Sequence, residues 1–310
     1  MVEENFPIID ISSLVQTQCQ DETILQEAAN QLMDGFSKWG FIYLKGHPIP
    51  EESIATLFKE SENFFTQPVD KKREVEMDAT DSDYIMGYVP FKMERIDPRK
   101  PFDLKEAFDY KHHIRQDMKQ KLPPQFTKSL ENFFDECYDL SLLLFKLLNK
   151  SLDIEDDQFF PNCHRKSGYF GNGTLLRSLY YPGIDSKDIL PEQSRCGVHA
   201  DYGTLTLLFQ NAEGLEVKSP SGNFIKAKLI EGTIIVNAAD LLERWSSGRI
   251  KSTLHRVSLP KDTNQPRQSV AFFVMPDNEC IVECLDGSNT YEPITAFDHI
   301  DNMYKATFRD

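Results

Sequence analysis

The chain has 310 residues, 40% of them hydrophobic and 11% aromatic, enough for a sizeable core in one large domain or two ordinary ones. A formal net charge of −15 argues against nucleic acid as a partner, which requires a basic footprint. No apolar run approaches the ~20 residues of a membrane helix, and Met1-Val2-Glu3-Glu4-Asn5 opens no signal peptide, so a soluble protein acting on a small molecule is expected.

No repeat, low-complexity tract or Pro/Gly-rich linker divides the chain, so one domain over 1–310 is expected. Its first part, 1–165, reads as helix-rich. From Glu22 to Trp39, Leu25, Ala28, Ala29, Leu32 and Phe36 recur at helical spacing, and Gly40 ends the run. A strand is predicted over Phe41–Lys45, and a helix over Glu51–Phe65 with Ile54, Leu57, Phe58 and Phe65 inward. The longest helix, Gln125–Leu148, carries an apolar stripe that includes Phe126, Leu130, Phe133, Phe134 and Leu144, a scaffold to pack under a sheet.

From about residue 166 to 295 the pattern changes to short strands: Leu175–Tyr181, Thr204–Gln210, Leu215–Lys218, Phe224–Lys226, Thr233–Asn237, His255–Leu259 and Gln268–Val274. Strands this short and numerous predict a sandwich or barrel. The tract Leu241–Arg249 reads as an ordered turn, with Asn237 and Asp240 as structural polar residues. Residues 296–310 read as a C-terminal helix, Ala296 to Phe308, closing over the mouth. The six cysteines, at 19, 137, 163, 196, 280 and 284, lack metal-site spacing beyond Cys280-x-x-x-Cys284 and read as reduced thiols in the cytoplasm.

The chemistry-bearing residues fall in the strand-rich part. His199-Ala200-Asp201 places an imidazole and a carboxylate two residues apart, on one side of an extended strand, and His255 supplies a second imidazole. Two histidines and one carboxylate form the open facial triad of non-haem Fe(II) sites. Each histidine alone would be an ordinary one. Arg267, Ser269, Ala271 and Phe273 share a face of one strand, and a guanidinium beside a hydroxyl suits a carboxylate. Without an anion, a buried arginine there would be costly. On a second strand, Arg177, Leu179 and Tyr181 share a face. Two readings of Arg177 stand open: a structural arginine paired with an internal carboxylate, or a clamp on the substrate.

These motifs, in this order, resemble the 2-oxoglutarate- and Fe(II)-dependent dioxygenases of the isopenicillin-N-synthase-like family. The resemblance covers nearly the whole chain. It begins with Phe6-Pro7-Ile8-Ile9-Asp10-Ile11 and the Trp39-Gly40-Phe41…His47 segment. It continues through Phe64-Phe65, Pro68, Lys71-Lys72, Gly87-Tyr88 and Lys105-Glu106-Ala107-Phe108. It closes on Leu176-Arg177…Tyr181-Pro182, His199-x-Asp201, His255-Arg256-Val257 and Arg267-x-Ser269. Leu207–Gln210, Lys218–Gly222 and Val236–Trp245 look nearer to fungal thymine-7-hydroxylase-like members. Leu179 departs from many plant members, which carry asparagine there.

The resemblance implies an α+β, mostly β fold: a double-stranded β-helix, or jelly roll, flanked by N-terminal and scaffold helices. It implies that His199, Asp201 and His255 bind Fe(II) and serve catalysis, that Arg267 and Ser269 bind the distal carboxylate of 2-oxoglutarate, and that Tyr181 assists. Arg177, Phe273, Tyr202, Phe108 and Tyr88 are the substrate-binding candidates. The implied reaction consumes O2, with ascorbate as an optional reductant, and releases succinate and CO2. It hydroxylates, desaturates or cyclises a small metabolite, and the default state is a monomer. Two alternatives remain: an oxidase of the same family that does not use 2-oxoglutarate, and a non-catalytic jelly roll that binds a carboxylate.

Overall fold

The computed structural model describes residues 5–78, 86–97 and 99–308. In its first half the chain runs through β1 (Ile8–Asp10), α1 (Ser12–Gln16), α2 (Glu22–Trp39), β2 (Phe41–Lys45), α3 (Glu51–Phe65) and α4 (Val69–Arg73). It continues with β3 (Gly87–Val89), β4 (Glu106–Tyr110), α5 (Gln116–Lys121), α6 (Pro124–Ser151) and α7 (Phe159–Cys163). The second half holds β5 (Leu175–Tyr181), β6 (Cys196–His199), β7 (Leu205–Gln210), β8 (Leu215–Lys218), β9 (Phe224–Lys226) and β10 (Thr233–Ala238). Then follow α8 (Asp240–Trp245), β11 (His255–Val257), β12 (Arg267–Val274), β13 (Ile281–Val282), β14 (Ile294–Thr295) and α9 (Ala296–Phe308).

Local chemistry sets the helix ends. The Asp21 carboxylate accepts from the backbone N–H groups of Thr23 and Ile24, and Gly40 closes α2 at φ +66. A side chain at Gly40 would collide with the Lys251 carbonyl, so glycine is required there. The long helix α6 starts on Pro124, whose missing N–H costs nothing in the first turn.

Eight strands form one sheet in the order β1-β2-β10-β7-β12-β5-β4-β3, and four form a second in the order β6-β11-β8-β9. These are the two layers of the jelly roll. One face of the larger sheet packs on the helices: Phe133 of α6 meets Phe209 of β7, and Phe134 meets Phe272 of β12. The other face looks between the sheets, where Leu179, Tyr181, Cys196, Val257 and Ala271 cluster. Alternation along β5 and β12 sorts side chains between the two faces.

That sorting corrects two expectations. Phe108 pairs in register with Ser178, and Tyr88 with Phe108, so both side chains face the helices rather than the site. Phe108 packs between Phe64 and Phe126, and Tyr88 donates to Glu106 Oε2 at 2.6 Å. They are core residues. The tract after β10 also differs: Asp240–Trp245 is a helix, with Leu241, Leu242 and Trp245 buried. As expected, α2, α3, α6 and α9 are helices, but α6 extends to Ser151.

A buried ion pair sits under this sheet. Lys72 Nζ bonds Glu106 Oε2 and donates to the Phe65 carbonyl at 2.9 Å. Removing one partner of such a pair strands the other charge and costs about 3–5 kcal/mol, whereas an apolar replacement of both is often neutral. Glu106→Gln should therefore lower the thermal midpoint more than the double variant Lys72→Met/Glu106→Leu. Equal melting of the two would count against the pair's role.

Candidate active site

The two histidines meet because β6 and β11 are neighbours. His255 is the cross-strand partner of His199, and their ring centres lie 4.2 Å apart. The register slips between this pair and the next, Val257 opposite Cys196, which marks a bulge in β6. Contrary to the expectation of one strand carrying both ligands, β6 ends at His199, and Asp201 lies in the loop beyond it.

Asp201 is held there by its neighbours. Its Oδ2 accepts from Thr206 Oγ1 at 2.6 Å and from Asn237 Nδ2 at 2.8 Å. Its backbone carbonyl accepts from the Asp240 N–H at 2.9 Å. Oδ1 then faces the imidazoles, 3.8 Å from His199 Nε2 and 3.7 Å from His255 Nε2. Asn237, expected as a structural polar residue, is thus a hydrogen-bond donor to the central carboxylate. Neither Asn237 nor Thr206 carries a sequence signal beyond its parity in a strand.

The protonation states follow. Nδ1 of His199 lies 2.9 Å from the Gly197 carbonyl, and Nδ1 of His255 lies 3.1 Å from the Thr253 carbonyl. A carbonyl only accepts, so Nδ1 carries a proton in each ring, and Nε2 is the nitrogen turned toward Asp201. Burial, and the neighbouring His255, push His199 well below the ordinary histidine value, which keeps it neutral. Burial alone would raise Asp201, but His255, His199, Thr206 and Asn237 hold its carboxyl below the usual range. Two imidazoles and one carboxylate, with donor atoms within 4.8 Å of one another, match the ligand set of a divalent iron site.

A second polar group lies farther along β12. Phe273 sits opposite Thr206, beside the three donors, while Arg267, on the same face of β12, sits opposite Tyr181 toward the other end of the strand. Arg267 is 1% exposed. It donates to the Ala212 carbonyl at 3.0 Å, to Ser269 Oγ at 3.2 Å and to Gln210 Oε1 at 3.0 Å. Its guanidinium carbon lies 4.9 Å from the centre of the Tyr181 ring. Ser269 Oγ donates to the Tyr181 hydroxyl at 3.5 Å. Gly214, at φ +148, lets the chain pass close to Arg267, because a Cβ there would stand 3.2 Å from Nε. Among the described residues, no carboxylate lies within ion-pair distance of Arg267. Leu179, opposite Ser269, keeps the wall between the two ends apolar.

Arg177 follows the first of its two readings. Its Nε and Nη2 fork onto Asp109 at 2.6 and 2.9 Å, and Nη2 also donates to Glu94 at 2.8 Å. Glu94 extends the chain of charges to Lys105, 3.3 Å away, which contacts Asp103 at 3.0 Å and Cys196 Sγ at 3.4 Å. Asp103 in turn accepts from the Gly197 N–H, in the bulge before His199. Burial would raise Glu94, yet Arg177 and Lys105 beside it bring it down to about 2. This ladder of Asp109, Glu94, Lys105 and Asp103 had no motif to announce it. Tyr202 follows Asp201 directly and stands half-buried at the metal end. Of the remaining histidines, His164 is fully buried, bonded to the Phe160 carbonyl and Thr204 Oγ1, and is a packing residue.

The site has known counterparts. Residues 172–276 match the 2OG-Fe(II) oxygenase superfamily, and residues 6–129 match the N-terminal region of the non-haem dioxygenases in morphine synthesis. Proline hydroxylase buaE of Petromyces alliaceus is 32% identical over 84% of this chain and 85% of its own. Homoarginine-6-hydroxylase 2-ODD-233 of Oryza sativa subsp. japonica is 32% identical over 95% of this chain and 94% of its own. A full-length Neurospora crassa protein, solved in complex with alpha-KG and thymine, superposes with a TM-score of 0.83 at 33% identity over 99% of both chains. By motif order, fold and relatives alike, the chain belongs to the 2-oxoglutarate- and Fe(II)-dependent dioxygenases of the isopenicillin-N-synthase-like type.

Proposed function

We propose that this dioxygenase oxidises a small nitrogen-containing metabolite, with His199, Asp201 and His255 as the iron ligands and Arg267, Ser269 and Tyr181 as the seat of the distal carboxylate of 2-oxoglutarate. One observation carries the reading: a buried guanidinium that has no carboxylate partner among the described residues lies along an apolar wall from a cluster of three residues that could hold a metal. Such a charge needs an anion, and a dicarboxylate with an oxo acid at its other end suits both sites. Bound Fe(II) would supply oxygen activation coupled to decarboxylation of 2-oxoglutarate.

The protein's own residues do the rest. The carbonyls of Gly197 and Thr253 hold both imidazoles in the tautomer that presents Nε2. Thr206 and Asn237 aim Asp201. The apolar wall of Leu179, Val257 and Ala271 excludes water from the space between the two ends. Phe273 and Tyr202 frame the substrate at the metal end. Arg177, already bonded to Asp109 and Glu94, adds a polar edge and is not a carboxylate clamp. The names of two relatives and the bound ligand of a third point to proline, homoarginine and thymine, which are small, polar nitrogen compounds. All six cysteines are free, which supports a reducing compartment, where Fe(II) also persists. No described helix is long and apolar enough to cross a membrane.

The decisive assay follows succinate and oxygen in Fe(II)-loaded protein given 2-oxoglutarate with pools of amino acids and pyrimidines. Succinate release that depends on one pool is expected. Oxygen uptake without succinate would replace the reading with the oxidase alternative. Arg267→Ala should lower kcat/KM for 2-oxoglutarate about 100-fold or more, in line with about 3–5 kcal/mol for leaving a buried charge partner unpaired. Thr206→Val and Asn237→Ala should each weaken metal binding about 10- to 100-fold, the usual effect of losing a group that orients a ligand. A Mn(II) titration measures this, and unchanged affinity in both variants would sink the ligand assignment of Asp201.

A further inference from the structure

Arg195 immediately precedes β6 and is 3% exposed. Its guanidinium carbon lies 5.8 Å from the centre of the Tyr181 ring, the ring that Arg267 approaches to 4.9 Å. Nη2 of Arg195 donates to the Gln265 carbonyl at 2.6 Å, in the segment that leads into β12. Among the described residues, no aspartate or glutamate lies within ion-pair distance of Arg195, just as none does for Arg267. Two nearly buried positive charges therefore approach one phenol ring with no counter-charge among the described residues.

That arrangement is costly on elementary grounds. A buried charge without a partner loses hydration that nothing replaces, and a second like charge adds repulsion. Both arginines respond in the same direction: burial lowers the basicity of each, and the charge of Arg267 lowers Arg195 further. The bond to Gln265 does not explain the charge, since a neutral amide could donate to the same carbonyl. The nearby ladder of charges shows the contrast, because there each cation has a carboxylate.

We propose that Arg195 is a second cation of the co-substrate pocket, a positioning residue that backs Tyr181 and adds positive potential at the closed end, so that the distal carboxylate of a dicarboxylate is held by two guanidiniums. This rests on the reading that 2-oxoglutarate places that carboxylate at Arg267. Arg267 bonds the anion directly. Arg195 acts through the Tyr181 ring that both approach, by a cation–π contact and by its field.

The test is calorimetric titration of 2-oxoglutarate into anaerobic, Mn(II)-loaded protein, with the thermal midpoint of each variant measured with and without 2-oxoglutarate. Arg195→Gln should weaken 2-oxoglutarate binding about 10-fold, while Arg195→Lys, which keeps the charge, should stay within about 3-fold of the parent. Without 2-oxoglutarate, the Arg195→Gln protein should melt no lower than the parent, because an unbalanced buried charge has been removed. Its thermal gain on adding 2-oxoglutarate should shrink. Equal affinity in Arg195→Gln and parent overturns the proposal, as does a variant that melts early or fails to fold, which would make Arg195 a loop tether. A parent that does not bind 2-oxoglutarate at all overturns the co-substrate reading itself, an outcome distinct from the other two.

Discussion

The carboxylate of Asp201 joins the two sheets at the point where the chemistry lies. The histidines come from the four-stranded sheet, as cross-strand partners on β6 and β11. The donors that hold Asp201, Thr206 on β7 and Asn237 on β10, come from the eight-stranded sheet. The ligand set is therefore complete only when the sheets have closed on each other. A carboxylate placed past the end of its strand would swing in solvent. Two charge-assisted hydrogen bonds to one oxygen fix it and leave the other oxygen for the imidazoles. For the Fe(II) site proposed above, metal affinity and closure of the jelly roll would be coupled through this one side chain.

Charge is distributed along the cavity with the same economy. Arg267 and Arg195 place positive charge beside Tyr181, Asp201 places negative charge beside the two histidines, and Leu179, Val257 and Ala271 near them are apolar. The orientation proposed above for 2-oxoglutarate follows this polarity, with the distal carboxylate toward the guanidiniums and the oxo-acid end toward the three donor residues. The net charge of −15 is spread over the chain and screened by salt, so it does not oppose this. Two cations in a low-dielectric pocket dominate the local field, whatever the sign of the surface.

The sequence disclosed the atoms that react more readily than those that hold them. The His-x-Asp pair, the distant His255 and the Arg-x-Ser pair were legible because metal and anion chemistry restricts residue type and spacing. The long helices were legible for the same kind of reason, since Leu25 to Trp39 and Phe126 to Leu148 repeat at the helical period. Cross-strand register is not written in local spacing. Asn237 and Thr206 are ordinary strand residues until β10 and β7 are aligned. Arg177 has the expected parity, but its partners lie 68 and 83 residues away in the chain. Phe108 and Tyr88 show the limit of alternation: it says which residues share a face, and only packing against α3 and α6 says which face.

Leu179 shows how these levels combine. It stands opposite Ser269, in a place where a polar side chain could have reached the middle of the co-substrate, and instead it packs against Tyr181, Val257 and Ala271. An apolar wall gives no hydrogen bond to fix a ligand along its length. Orientation then has to come from the two ends, the metal cluster and the buried guanidiniums. On the proposed reading, that division of labour accounts for two buried arginines with no carboxylate partner among the described residues: a neutralised arginine there would no longer tell the ligand which way to lie.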